Sequence, residues 1–225
     1  VTLPEPAPWD PRIQLREEKT ALGFYFSGHP YSAWRAEFGR FVRSTLERLA
    51  PAAGGSEFAP ATQLIGGVVE SVRTLKTQGS SRLVVVVLSD GTAAVEVTLY
   101  GELYDQHRAQ VVEDAVLVLE VKVRDIRRGD AEGESIRRIS VEKVYDVTAA
   151  RNRFARGLRL HCNGQLSGTP PQQNVRRLQA LLSPWRNGPC PVQVVVDNGR
   201  ATAPVTLGEA WNVNLDEALV AGLAE

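Results

Sequence analysis

Residues 82–100 have the sequence RLVVVVLSDGTAAVEVTLY, and this stretch decides the fold. The run from Arg82 to Leu88 is rich in β-branched residues, which favours a strand. The residues that follow, Ser89-Asp90-Gly91-Thr92, are typical of a hairpin turn. From Val95 to Tyr100 apolar and polar side chains alternate, as in a strand with one face turned inward. Residues 82–100 therefore predict two antiparallel strands that are adjacent in a sheet.

Three more strands are predicted on either side of this pair. Leu64–Val69 opens the first strand, and its paired glycines suit the sharp bend of a closing barrel. Leu117–Arg124 alternates like a fourth strand, Ile136–Val147 gives a fifth, and the polar stretch Gly101–Val112 between the third and fourth is compatible with a helix. Five strands with a helix at this place are typical of the OB-fold, although an unrelated five-stranded barrel or a Greek-key sandwich shares the order.

The segment before the barrel is predicted to be helical. Four prolines make residues 1–15 an extended arm, and a helix then runs from Glu17 to Phe26 until Gly28-His29-Pro30 stops it. Apolar side chains from Trp34 to Leu49 recur with helical spacing and predict a second helix. Residues 51–60 are rich in Ala, Gly and Pro, which indicates a linker.

The segment after the barrel mixes helices and strands. We expect helices at 148–157, 174–182 and 214–223, and strands at 158–162, 191–196 and 201–207. The predicted fold class is thus mostly β with α+β: a helical lead-in (1–61), a five-stranded OB-type barrel (62–148) and a small α+β C-terminal domain (149–225).

Composition narrows the choice of function. Lys plus Arg and Asp plus Glu both total 26, so the overall charge does not favour a polyanionic partner. Only Cys162 and Cys190 are present, which indicates two buried thiols rather than a disulfide framework. With neither a signal peptide nor a long apolar run, we expect a soluble, cytoplasmic protein. The chain has no methionine and begins with Val1, so we expect it to be part of a longer polypeptide.

Catalytic signals are weak. His29, His107 and His161 lie in separate segments without metal-ligand spacing, and no phosphate-binding loop or nucleophile elbow is present. The carboxylates are scattered rather than arranged to hold two metal ions. We therefore expect no active site, metal or cofactor in this chain, and no contact with a membrane.

A nucleic-acid interface is the remaining candidate site. Residues 62–148 contain 11 Lys and Arg against 14 Asp and Glu, which predicts weak binding. Basic residues nevertheless flank the loops that lie around the binding groove of an OB-fold, and Tyr100 offers a ring on which bases stack. The candidate nucleic-acid-binding residues are Arg73, Lys76, Arg82, Tyr100, Arg124, Arg127, Arg128, Arg137 and Arg138. For any one arginine a surface ion pair with a nearby carboxylate is an equally good explanation, and Tyr100 suits a core or rim position too.

Several motifs resemble one family. EKTALGFYFSGHP (18–30) is similar to the E-x-x-x-L-G-x-Y-x-(S/T)-G-H-P segment of the bacterial DNA polymerase III alpha subunit, C-terminal region. LSDGTAAVEVTLY (88–100) resembles its OB module, and ARNRFARGL (150–158) its link into the last domain. NGPCPV (187–192) and LGEAWNV (207–213) resemble later strands. The first inter-strand loop of the family is usually more basic, of the type Thr-Lys-Lys-Gly, and here Gln78, Ser80 and Ser81 replace much of that charge.

The resemblance implies a non-catalytic part of a replicative DNA polymerase, a nucleotidyltransferase whose active site lies upstream. It implies weak contact of the barrel with single-stranded DNA, and binding of the last domain to the tau subunit of the clamp loader. The rest of the alpha chain is a further implied partner, and the sliding clamp binds through upstream sequence not present here. Two alternatives stay open: a pure assembly module without DNA contact, and an anticodon-binding barrel of an aminoacyl-tRNA synthetase or another OB-containing enzyme.

Overall fold

The strand pair predicted from residues 82–100 is present as β2 (Arg82–Ser89) and β3 (Ala94–Tyr100). These strands are antiparallel, from the pair Leu83 and Tyr100 to the pair Ser89 and Ala94. In this computed structural model the described residues are 9, 11–50, 61–76, 82–127, 135–163, 171–197 and 201–224. The chain divides into two compact units, Val1–Asp146 and Val147–Glu225. The predicted three-domain division at 61/62 and 148/149 remains a prediction.

The first unit contains a closed barrel with the strand order β1-β2-β3-β5-β4. The other strands are β1 (Thr62–Lys76), β4 (Val116–Arg127) and β5 (Ser135–Tyr145), and α3 (Gly101–His107) lies between β3 and β4 in the chain. β1 closes the barrel because its first part pairs with β4 and its second part with β2, with an irregularity between Val69 and Ser71. The predicted OB-type barrel is confirmed.

Inward side chains explain why the barrel closes. β2 buries Val84, Val86 and Leu88, and the facing strands bury residues such as Val97 and Val121. Each large aliphatic side chain that is fully buried contributes about 1.5–3 kcal/mol to folding. The alternation in the sequence therefore fixes which face is the core and which face is left for solvent.

The lead-in differs from its prediction. The helix α1 (Pro11–Leu22) begins inside the stretch predicted as an extended arm, because a proline is tolerated in the first turn of a helix. It also ends earlier than predicted, since Gly23 takes a φ of 81°, a left-handed conformation that ends helices. Residues 24–26 therefore lie outside it. The Glu18 carboxylate instead accepts the backbone N–H groups of Phe26 and Ser27, each at 2.8 Å, and folds this stretch back on the helix.

The second predicted helix is also wrong in extent. α2 (Ser32–Phe38) is short, and only a 3₁₀ turn, Leu46–Arg48, follows it. Leu46 and Leu49 are buried in the barrel core instead of forming a helical face with Trp34. Tertiary packing overrides the helical spacing here.

The second unit is a small α+β assembly. Its helices are α4 (Val147–Phe154), α5 (Pro171–Leu182) and α6 (Glu217–Ala224), and its strands are β6 (Leu158–Asn163), β7 (Arg186–Cys190), β8 (Val192–Asp197) and β9 (Thr202–Thr206). The sheet has the order β6-β8-β9, with β6 and β8 parallel. β7 was not predicted, and α6 starts at Glu217 rather than Asn214.

The core of the second unit includes Leu182, Val192 and Cys190, and burial raises the pKa of the Cys190 thiol. Trp185 and Trp211 pack partly buried against this core. Pro204 lies in β9 at the edge of the sheet, where a residue without an N–H group protects against pairing with another chain.

Candidate nucleic-acid interface

The outer surface of β1, β2 and β3 carries three rows of side chains. Because Val84, Val86 and Leu88 point inward, the alternate residues of β2 point outward together with their partners on both sides. The rows, read from β1 to β3, are Leu75–Leu83–Tyr100, Arg73–Val85–Thr98 and Ser71–Val87–Glu96. In OB-folds this strand 2–3 face, with the adjoining loops, is where oligonucleotides bind.

The first row is apolar and open. Leu75 and Tyr100 are each 52% exposed, and Leu83 lies half-buried between them. A phenol ring next to two leucines offers a flat surface on which a nucleobase can stack. The structure thus places the predicted Tyr100 on the surface rather than in the core.

The second feature of the face is an ion pair that spans three strands. Arg73 on β1 donates from Nη2 to Oε1 of Glu96 on β3 at 2.5 Å. The predicted cation Arg73 is therefore on the face, but a carboxylate already holds it.

The same outer surface continues over β4 and β5. Lys122 pairs with Glu142 at 3.1 Å, and Lys143 pairs with Glu120 at 3.2 Å. Beyond these pairs, Arg124 and Arg138 lie directly opposite each other on the two strands, and both are exposed. Two more of the predicted cations are thus brought side by side.

Two of the predicted arginines, Arg82 and Arg137, form ion pairs within the first unit. Arg82 forms an ion pair with Asp105 of α3, and its guanidinium lies 5.8 Å from the ring centroid of Tyr104. Arg137 binds Asp125 at 2.9 Å and also donates to the carbonyl of Leu49; the hydrogen bond with Asp125 raises its pKa. Both side chains stay partly exposed, but their contacts are structural.

Two of the remaining three predicted residues are at strand ends. Lys76 ends β1 and Arg127 ends β4, and only their backbones are described. Arg128 lies outside the described residues, as do residues 77–81 and the rest of 128–134. The structure therefore brings Arg73, Tyr100, Arg124 and Arg138 onto one outer surface.

Sequence reasoning missed Leu75, Leu83 and Glu96. The available signal was the alternation of β1: once that strand extends past Val69, Arg73 and Leu75 fall on the same face. Glu96 was recognised only as a polar residue of an alternating strand. Its partner on a strand two positions away is not visible in the sequence.

The Gly28-His29-Pro30 bend is structural in this unit. His29 Nδ1 accepts the backbone N–H of Tyr31 at 3.2 Å, so Nε2 carries the proton and donates to Ser89 Oγ, also at 3.2 Å. Burial lowers the pKa of His29 and raises that of Tyr31 to about 12. A Cβ at Gly66 would overlap the Tyr31 hydroxyl, which explains one of the paired glycines.

Other kinds of site are not supported by the described ranges. Within them no group of three or more His, Cys, Asp or Glu side chains could hold a metal ion. No helix in the described part of the chain is long and apolar enough to cross a membrane. The expectation that the chain needs no cofactor remains a prediction.

A closed barrel with the order β1-β2-β3-β5-β4 and a helix between β3 and β4 defines an OB-fold protein. Residues 177–225 match the family model described as DNA polymerase III subunit alpha, C-terminal domain. The chain is 28% identical to the DNA polymerase III alpha subunit of Vibrio cholerae serotype O1 over 94% of its own length and 17% of that protein. With the alpha subunit of Escherichia coli strain K12 it shares 26% identity over 95% of its length and 17% of that protein.

Over nearly its whole length the chain is similar to the C-terminal region of DNA polymerase III alpha subunits. It spans less than a fifth of the length of these relatives. The relatives are DNA polymerase subunits, and the matched domain is the C-terminal one, not the catalytic part.

Solved structures resemble the chain more distantly. The mitochondrial single-stranded DNA binding protein Rim1 of S. cerevisiae aligns at a TM-score of 0.33 with 13% identity, over 39% of this chain and 95% of that chain. The second OB-fold domain of replication protein A from Methanococcus maripaludis aligns at 0.29 with 20% identity, over 39% of this chain and 84% of that chain. Likenesses at this level carry no conclusion about function.

Proposed function

We propose that this chain serves DNA replication as a non-catalytic part of a replicative DNA polymerase, and that its barrel contacts single-stranded DNA. The observation that carries the proposal is the apolar row Leu75–Leu83–Tyr100 with Arg73 in the adjacent row. Bases stack on aromatic rings while phosphates bind neighbouring cations, and both kinds of group are present on one face. The full-length protein would supply the polymerase active site from another region.

The binding is weak and sensitive to salt. Cations on the outer surface of the barrel are paired with carboxylates, as in Arg73–Glu96 on the β1–β3 face and Lys122–Glu142 and Lys143–Glu120 on β4 and β5. A phosphate must compete with these partners, so the electrostatic gain per contact is reduced. Stacking on Tyr100 therefore supplies a large share of the affinity.

The test is a titration of labelled oligothymidylate at two salt concentrations. Tyr100→Ala is expected to weaken binding by about 5- to 150-fold, the equivalent of about 1–3 kcal/mol for one stacked base. Phe26→Ala is the matched control, because Phe26 is an aromatic residue of the lead-in that is 78% exposed. Failure of the unchanged protein to bind at low salt would contradict the proposal.

We further propose that residues 147–225 bind the tau subunit of the clamp loader, as the family resemblance implies. The family match over residues 177–225 supports this proposal. The sheet offers an apolar patch, since Val196 and Val205 are 42% and 49% exposed and lie on the same face. Apolar side chains at this exposure favour a protein partner over a nucleic acid.

The tau proposal is tested in the full chain by retention on immobilised tau. Val196→Asp and Val205→Asp are expected to reduce retention at least tenfold, because each would place a charge in the apolar contact. Thr206→Asp is the control, since Thr206 is exposed on the opposite face of β9. Equal retention of all variants, and of a chain lacking residues 147–225, would refute tau binding through this unit.

A pure assembly role is the second candidate, favoured by the same ion pairs and by the slight acidic excess of residues 62–148. In this role the barrel would pack against other polymerase domains and would not contact DNA. Reversing the charges of Arg127 and Arg128 separates the two functions. Only DNA contact predicts a shallower dependence of affinity on salt in this variant.

A further inference from the structure

The ion pair between Arg73 and Glu96 lies across the middle of the β1–β3 face. Arg73 is the partner of Val85 and Glu96 is the partner of Val87, so β2 runs between the two charged residues. Strands separated by one neighbour are roughly 9–10 Å apart, which means that both side chains must extend toward each other over β2. Their contact at 2.5 Å is therefore made over β2, the strand that carries Val85 and Val87.

The Arg73–Glu96 ion pair is exposed and can be broken at little cost in free energy. The side chains of Arg73 and Glu96 are 59% and 65% exposed, so water can solvate each of them separately. Exposed ion pairs contribute little net stability and are further weakened by salt. A phosphate group presents the guanidinium with the same geometry of acceptor oxygens and with at least as much charge.

We propose that Glu96 is an internal competitor for the phosphate backbone: it occupies Arg73 when the face is empty, and bound single-stranded DNA displaces it. This inference rests on the proposed DNA contact and specifies how that contact is regulated. The competition keeps the empty face neutral and the affinity low, so that the strand can exchange quickly. Lys122–Glu142 and Lys143–Glu120 are further exposed or partly exposed ion pairs, each between the adjacent strands β4 and β5.

Glu96→Gln is the decisive substitution, because it keeps the size and the exposed strand position of the side chain while removing its charge. Glu113→Gln is the matched control: Glu113 is exposed in the turn before β4 and carries the same charge away from the face. Arg73→Gln and the double variant of Arg73 and Glu96 complete a double-mutant cycle. Circular dichroism confirms that each variant is folded.

Each protein is titrated with labelled oligothymidylate longer than about 16 nucleotides, the largest site size of one OB-fold. Glu96→Gln is expected to bind about two- to fivefold more tightly than the unchanged protein at low salt, the range of one exposed ion pair. The gain should shrink as salt is raised, because salt also weakens the Arg73–Glu96 pair. When Arg73→Gln is already present, adding Glu96→Gln should increase affinity no more than Glu113→Gln does in the unchanged protein.

Two results would overturn the inference. One is a gain for Glu96→Gln no larger than that for Glu113→Gln, and the other is a gain that persists without Arg73. In either case the proposed DNA contact stands as long as Tyr100→Ala still weakens binding. If none of the proteins binds the oligonucleotide, the proposed contact and this inference both fail.

Discussion

Replacing Asp90 with alanine should detach the lead-in from the barrel. Asp90 is only 3% exposed, and its Oδ1 accepts hydrogen bonds from the Thr92 amide at 2.8 Å, the Thr92 hydroxyl at 2.6 Å and the Ala93 amide at 3.3 Å. Its Oδ2 accepts the Leu46 amide at 3.0 Å. One carboxylate thus shapes the turn between β2 and β3 and holds the 3₁₀ segment that enters the core.

The loss in stability can be estimated from the N–H groups that lose their acceptor when Asp90 is replaced. A buried Leu46 N–H without an acceptor costs about 1–3 kcal/mol, and hydrogen bonds to a charged acceptor in the turn contribute about 1.5–3 kcal/mol. The turn amides can regain part of this from water. We expect Asp90→Ala to lower the free energy of unfolding of the first unit by about 3–5 kcal/mol.

Hydrogen exchange is the appropriate assay, because a chain of two units does not unfold in a single two-state transition. Protection of the Leu46 amide should be lost in Asp90→Ala and partly retained in Asp90→Asn, which keeps one acceptor oxygen. Asp105→Ala is the control, since it removes an exposed partner of Arg82 and should cost about 0–1 kcal/mol. Unchanged Leu46 protection in Asp90→Ala would refute the role of this carboxylate.

The same carboxylate predicts a pH dependence. Burial alone would raise the pKa of Asp90, but the hydrogen bonds from Thr92, Leu46 and Ala93 outweigh it and lower the pKa. A carboxyl group with a lowered pKa in the folded state stabilises the fold above its unfolded pKa, about 3.9, and this stabilisation is lost as the pH falls through the folded value. Asp90→Ala should therefore be less sensitive to acid below about pH 4 than the unchanged protein.

Two further predictions concern the lead-in. The hydrogen bond from the Ser27 hydroxyl, followed by those from backbone amides, lowers the pKa of Glu18 to about 2. An NMR titration should therefore show the Ser27 amide shifting with a midpoint near pH 2. Glu18→Gln should abolish that shift, and Glu17→Gln should not. Gly66→Ala should destabilise the first unit by about 1–3 kcal/mol in hydrogen exchange, because its Cβ would lie 3.0 Å from Cζ of the buried Tyr31 and overlap the hydroxyl. Combining it with Tyr31→Phe, which removes that hydroxyl, should recover part of the loss.

The barrel could be predicted because short stretches of sequence specify its strands and its turn. Residues 82–100 contain the alternation and the turn that produce β2 and β3, and each further strand shows the same period of two. Closure depends on β1 pairing with two partners, and only its paired glycines hint at that bend in the sequence. The lead-in was harder, since Leu46 and Leu49 have helical spacing but are recruited into the barrel core.

The location of the candidate site could be predicted from the sequence, but the ion pair that occupies Arg73 could not. Basic residues near the inter-strand loops identified Arg73, and alternation put Tyr100 at the end of a strand. The partner of Arg73 is 23 residues away along the chain and two strands away in space. No sequence pattern connects these positions, because the contact arises only when β1, β2 and β3 lie side by side.

The segment around Gly28-His29-Pro30, the most distinctive motif of the chain, positions the barrel. His29 contacts Ser89, Tyr31 lies over Gly66, and Arg35 donates to the Asp90 carbonyl at 2.5 Å. These contacts gather at the end of β2 where Ser89 lies, whereas Leu83 is six residues away at the other end, roughly 20 Å along the strand. The lead-in therefore fixes the barrel from one end and leaves the row that contains Tyr100 exposed at the other, which is the arrangement that the proposed DNA contact needs.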